Sequence, residues 1–157
     1  MNPFERLLVD LAAANVRFVT VGGVACAFNG YVRATQDVDI LVSAAPENLV
    51  RMLDVLKGFG DGHAAELTVA DFPVEPGAIR IIEEFPLDIF TVMMDYRFED
   101  LANHVRWFRS GATEIPFLDA AGLVLLKGGS HRPQDRIDVE VLTRLPSGEG
   151  EDGGSRE

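Results

Sequence analysis

Val19-Thr-Val-Gly-Gly-Val-Ala-Cys-Ala-Phe-Asn-Gly-Tyr-Val-Arg-Ala-Thr-Gln-Asp-Val-Asp-Ile-Leu-Val42 joins a glycine pair at the end of one apolar run to two aspartates in the next. Successive side chains of a strand point to opposite faces. Asp37 and Asp39 therefore share one face, while Val38, Ile40 and Val42 share the other and enter a core. Two like charges on one face repel unless a cation sits between them. Asp is also disfavoured in strands, so a merely solvated strand face explains the pair poorly. Hard carboxylate oxygens with no Cys or His cluster beside them select magnesium or manganese over zinc. Gly22-Gly23, at a strand-to-helix turn, exposes backbone N–H groups and lets an anion come close. Taken alone, a Gly pair in a tight turn is structural more often than ligand-binding. The aspartates downstream give this one its interest.

Working outward, Asn2-Pro3-Phe4-Glu5 supplies a capping residue, a Pro at the first helical position and a Glu at the third. Leu7, Leu8 and Leu11 follow at helical spacing, which predicts a helix over 3–14. Strands are expected at 17–21 and 36–42, with a short helix at 24–28 between them. Pro46 opens a helix to about residue 56, closed near Gly58 and Gly60. A short helix is expected near 64–69. Residues 78–82 and 87–92 read as two further strands around the acidic turn Glu83-Glu84. Phe98, Leu101, Val105 and Phe108 recur at spacings of three and four, predicting an amphipathic helix with Arg97, Arg106 and Arg109 on its solvated side. A short strand at 113–117, a helix at 120–126 and a last helix from Pro133 complete the reading. The pattern is that of an α/β (α+β) domain over residues 1–145, a small mixed β-sheet flanked by helices. From Pro146 to Glu157 the chain is Gly-, Ser- and Glu-rich with almost nothing apolar, and a disordered acidic tail is expected.

The length of 157 residues suits one domain, with roughly 70% of the unfolded surface buried by size scaling. No signal peptide is written at the start, and no run of about 18 apolar residues could span a bilayer. The expectation is a cytoplasmic protein with no membrane partner. A lone Cys26 excludes an intramolecular disulfide, and its apolar neighbours suit a buried, inert thiol. The formal net charge of −11 is an unfavourable field for gripping a nucleic-acid backbone. The last ten residues carry four acids against one Arg, which leaves the remainder at −8. His63, His104 and His131 have no ligand-like spacing, so neither a zinc site nor a triad is expected.

Four places in the chain carry a family likeness: Gly22-Gly23, the run Arg33-Ala-Thr-Gln-Asp-Val-Asp-Ile, the strand Leu87-Asp88-Ile89-Phe90, and Lys127-Gly-Gly-Ser-His-Arg-Pro-Gln-Asp-Arg-Ile-Asp138. In this order, over most of residues 17–143, they resemble the nucleotidyltransferase superfamily, specifically the small bacterial proteins related to the AbiEii toxin and the minimal nucleotidyltransferases. Many superfamily enzymes carry Gly-Ser where this chain has Gly22-Gly23. The resemblance implies a third carboxylate, Asp88, beside Asp37 and Asp39, as metal ligands and catalytic groups. It also implies a nucleoside triphosphate (NTP) as donor, with in-line displacement at its α-phosphate. Asp88 would then orient or deprotonate the acceptor hydroxyl. The acceptor, whether protein, small molecule or RNA, stays open. So does the partner, although a toxin–antitoxin or phage-defence setting suggests an antitoxin or partner subunit.

Lys127 has two readings, a contact to the β- or γ-phosphate or a helix C-terminal cation that complements the dipole. Arg33 and Arg132 could bind nucleotide or pair with the site's acids. Asp135 and Asp138 read as ion-pair partners that fix the last helix. Two rival functions remain. One is a catalytically reduced nucleotide-binding or regulatory module of the same fold. The other is a metal-dependent phosphatase with an Asp-x-Asp nucleophile, disfavoured because Ile40-Leu41-Val42 continues the strand beyond the aspartates.

Overall fold

The computed structural model describes residues 1–146; the expected acidic tail lies, apart from Pro146, outside the described residues. The chain runs α1 (Pro3–Ala13), β1 (Phe18–Val21), α2 (Gly22–Phe28), β2 (Val38–Val42), α3 (Pro46–Lys57), β3 (Ala78–Ile82), β4 (Pro86–Phe90), β5 (Val92–Met93), β6 (Tyr96–Arg97), β7 (Val105–Ser110), β8 (Thr113–Leu118), α4 (Ala120–Lys127) and α5 (Pro133–Thr143). Short 3-10 segments occupy His63–Glu66, Val69–Asp71 and Phe98–His104. Asn2 caps α1 as expected, its side chain accepting from the Glu5 N–H at 2.8 Å.

Six strands form one mixed sheet in the order β3-β4-β2-β1-β8-β7, and β5 and β6 pair separately. The β1–β2, β3–β4 and β7–β8 pairs are antiparallel, whereas β2–β4 and β1–β8 are parallel. Strand alternation divides the core into two layers. Phe18, Val38, Ile40, Val42, Leu87 and Ile89 pack with Leu7, Leu8 and Leu11 of α1 and Leu49, Met52 and Leu56 of α3. Val19, Val21 and Leu41 point the other way and pack with Ala25 and Cys26 of α2, Leu123 and Leu126 of α4 and Leu142 of α5. Val38, Ile40 and Val42 are fully buried, as the spacing around the aspartates requires. Thr20 of β1 is fully buried with its Oγ1 unpaired among the described residues, whereas Asn48 is fully satisfied. Buried Asn48 accepts from the Arg17 N–H and donates to the carbonyls of Arg17 and Ser43, tying α3 to the ends of β1 and β2.

One expected element is corrected. Residues 98–108 do not form an amphipathic helix; an irregular 3-10 segment ends at His104, and β7 follows. Spacings of three and four fit Phe98 and Leu101, but Val105-Arg-Trp-Phe108 is β-branched and aromatic. It also pairs residue by residue with β8, from Val105↔Leu118 to Ser110↔Thr113. The two-residue turn Gly111-Ala112 makes this hairpin possible, with Gly111 at φ +61°. Local helical periodicity therefore gives way to a cross-strand ladder. The sheet consequently has six strands, where the apolar runs predicted four and a short fifth.

Candidate functional site

The register places Val21 of β1 opposite Asp39 of β2, Asp39 opposite Asp88 of β4, and Asp88 opposite Arg80 of β3. One transverse row of the sheet thus reads Val21, Asp39, Asp88, Arg80, all facing the α2 side. Asp37 joins from the start of β2. Ligand oxygens of Asp37, Asp39 and Asp88 lie within 4.8 Å of one another. Two of the three carboxylates share a counter-ion. Arg80 Nε donates to Asp88 Oδ1 at 2.8 Å, and its Nη2 donates to Asp88 Oδ2 and to Asp37 Oδ2, both at 2.9 Å. Asp39 lies deeper. Burial, then the charges of Asp88 and Asp37, push its carboxyl up to about 7, against an opposing pull from Lys127. Among the described residues no ion pair is formed with Asp39. An all-oxygen donor set whose half-buried member, Asp39, has no ion-pair partner suits a hard divalent cation, so these residues fit magnesium or manganese.

The glycine pair abuts the carboxylates. Gly22 has φ +71°, and a methyl group added there would collide with the Asp39 carboxylate. At Gly23 a methyl would lie 2.5 Å from Thr35 Oγ1 and 3.4 Å from Arg33 Nη1. The sequence alone suggests that substitution in the pair weakens triphosphate binding more than metal binding. Contact with Asp39 separates the two positions. Gly22→Ala is expected to cost at least about 1 kcal/mol of stability from the positive φ and to weaken manganese binding by displacing Asp39. Gly23→Ala meets only the side chains of Thr35 and Arg33 and should leave manganese binding near the wild-type value. Urea titration and a manganese titration of both variants check this.

Arg33 and Lys127 converge on a fourth acid, Asp138. Asp138 is fully buried, receives Arg33 Nη2 at 3.0 Å, Tyr31 Oη at 2.9 Å and Gln134 Nε2 at 2.7 Å, and lies 3.1 Å from Lys127 Nζ. Lys127 also pairs with Asp135 at 3.0 Å, and Asp135 accepts from Ser130 Oγ. Burial alone would raise the Asp138 carboxyl. Hydrogen bonds from Gln134, Lys127 and Tyr31, with the Lys127 charge, outweigh it and hold the group below the usual carboxylate range. The expectation that Asp135 and Asp138 fix the last helix through ion pairs is met. Lys127 is held between two carboxylates of α5, close enough to Asp39 to lower that group's pKa. Arg132 is largely exposed and reaches Asp135 at 3.6 Å.

Gly22, Gly23, Arg33, Asp37, Asp39, Asp88 and Lys127 therefore come together on one side of the sheet, with Arg132 at the margin. Sequence reasoning missed Arg80, Thr35 and Tyr31. Arg80 was out of reach, because a two-residue Glu83-Glu84 turn would pair position 80 with position 87, whereas the observed three-residue turn through Phe85 pairs it with Asp88. A second acidic group, Asp61, His63 and Glu83, also lies within 4.8 Å. It acts as a loop clamp. Both Glu83 oxygens accept backbone N–H groups, from Asp61 and His63, and His63 Nδ1 faces the Ile82 carbonyl at 2.8 Å.

No known protein family and no curated protein matches the sequence. Solved structures do match by shape. The crystal structure of the lincosamide antibiotic adenylyltransferase LnuA, bound to lincomycin, aligns with a TM-score of 0.61 and 15% identity over 93% of this chain and 98% of that one. A Thermotoga maritima protein, TM1012, assigned provisionally as a nucleotidyltransferase, aligns at 0.55 and 15% identity over 88% and 87%. No helix of the described residues is long and apolar enough to cross a membrane. At such low identity the likeness is one of fold: this chain has the mixed-sheet nucleotidyltransferase fold that these two structures share.

Proposed function

We propose that the protein is a metal-dependent nucleotidyltransferase that moves a nucleotide from an NTP to a hydroxyl group. The observation that carries this reading is the row across the sheet that sets Asp39 beside Asp88, with Asp37 adjoining and the Gly22 turn against Asp39. A magnesium or manganese ion bound by Asp37, Asp39 and Asp88 supplies neutralisation of phosphate charge and a lowered pKa for the acceptor hydroxyl. The chain's own groups do the rest. Gly22-Gly23 lets the polyphosphate approach the backbone, and Arg33, with Lys127 behind it, contributes positive charge on that side. Asp88 orients the acceptor hydroxyl and takes its proton as the oxygen bonds to the α-phosphorus. The bond from that phosphorus to the bridging oxygen breaks, and pyrophosphate leaves.

The net charge of −11 favours a small-molecule or protein acceptor over RNA, because polyanion binding falls steeply with salt unless many cations grip it. LnuA, whose structure holds lincomycin, shares the fold and gives a small hydroxylated molecule added weight as the acceptor class. A toxin–antitoxin or phage-defence role, with an antitoxin or partner subunit, follows from the family resemblance and is part of this proposal. The test is direct. Millimolar manganese with one of the four NTPs should raise the melting temperature, since a ligand at 100 times its dissociation constant adds about 2.7 kcal/mol. With labelled NTP and a lysate of its own host, the protein should release pyrophosphate and label an acceptor. Stabilisation by NTP without label in protein, RNA or small molecules would establish the binding-module reading instead; no stabilisation by any NTP would overturn both.

A further inference from the structure

Arg80 occupies the carboxylate oxygens that a cation would need. Its guanidinium fork spans both oxygens of Asp88 and one of Asp37. This arrangement is the strong bidentate form of an ion pair. The residue itself is loosely rooted. β3 is a terminal strand of the sheet, and the Arg80 side chain is 47% exposed, so it can turn outward without opening the core. Asp39, by contrast, is half-buried on the inner side of the row and has no such partner among the described residues.

We infer that Arg80 is a built-in counter-ion that holds Asp37 and Asp88 while the site is free of metal and that a divalent ion must displace. This rests on the metal-dependent reading above. A guanidinium and a divalent ion compete for the same lone pairs and repel each other across two carboxylates. The fork therefore relieves repulsion among the three acids in the free protein and lowers the affinity of the site for metal. Ion entry turns the arginine out toward solvent at the edge of the sheet. Metal-dependent opening of the site is then a property of one side chain.

Arg80→Gln and Arg80→Lys separate the fork from the charge, because lysine keeps the charge as a single point and cannot bridge three oxygens. Manganese alone is the probe, titrated by calorimetry and by the loss of its free-ion electron paramagnetic resonance signal. Both variants should bind manganese about tenfold more tightly than wild type, equivalent to about 1.4 kcal/mol. Both should melt lower than wild type in chelator and recover with the ion, which shows that they fold. Wild-type affinity in both variants, or weaker binding, would overturn the role given to Arg80 while leaving the metal site intact. Tighter binding in the Gln variant alone would also overturn it, since only net charge would then matter. Absence of manganese binding in wild type and both variants would overturn the metal reading itself and this inference with it.

Discussion

Asp39→Asn is expected to weaken manganese binding at least about a hundredfold, which is about 2.7 kcal/mol or more, while making the metal-free protein more stable at neutral and alkaline pH. Asp39 sits between Asp88 and the Gly22 turn, and its loss removes the central oxygen donor of the site. The stability gain follows from linkage. Burial and two neighbouring carboxylates push the Asp39 carboxyl up to about 7, so the folded state holds a proton that the unfolded chain has already released. Stability of the metal-free wild type therefore falls as pH rises from the ordinary carboxylate range through about 7, and the penalty is complete above that. Its size is on the order of a few kcal/mol, since each tenfold change in proton affinity is worth about 1.4 kcal/mol. Wild type and variant should coincide near pH 4, separate as pH rises and differ fully above pH 7, measured by urea unfolding in chelator. A variant that is less stable at pH 8, or that keeps wild-type manganese affinity, would refute the assignment of Asp39 as a ligand held for metal rather than for folding.

Asp138→Ala should have the opposite balance, a large loss of stability. Asp138 is fully buried and is the common partner of Arg33 and Lys127, with hydrogen bonds from Tyr31 and Gln134. Removing one partner of a buried ion pair strands the other charge, at a cost of about 3–5 kcal/mol. Asp135 remains on Lys127, so the larger share of the damage falls on Arg33 and on its link to α5. The pH dependence again has a definite sign. Asp138 is held below the usual carboxylate range, so its contribution is present at neutral pH and is lost as pH falls through its depressed value. The gap between wild type and variant should therefore close in acid. A change of less than about 1 kcal/mol at pH 7, the range of exposed pairs, would mean that the network is dispensable and that Lys127 and Arg33 are held for ligand alone.

The sequence by itself determined the face of β2. A period of two fixes Asp37 and Asp39 on one side and Val38, Ile40 and Val42 on the other, whatever strands lie alongside. It also determined the start of α1 through Asn2 and Pro3, and the glycine turn, because these depend on φ preferences and on contacts within a few residues. Residues 98–110 show where local information runs out. Their apolar spacing suits a helix as well as part of a strand, and only pairing with Thr113–Leu118 decides between them. The site divides in the same way. Asp88 was nominated by resemblance, but its place beside Asp39 is set by the parallel register of β2 and β4, between segments some fifty residues apart. The Arg80 fork, the meeting of Arg33 and Lys127 on Asp138, and the raised pKa of Asp39 depend on distances and burial that no spacing along the chain encodes. Carboxylate chemistry is written in residue types, whereas the balance of charge around it is decided by which strands and helices the fold makes neighbours.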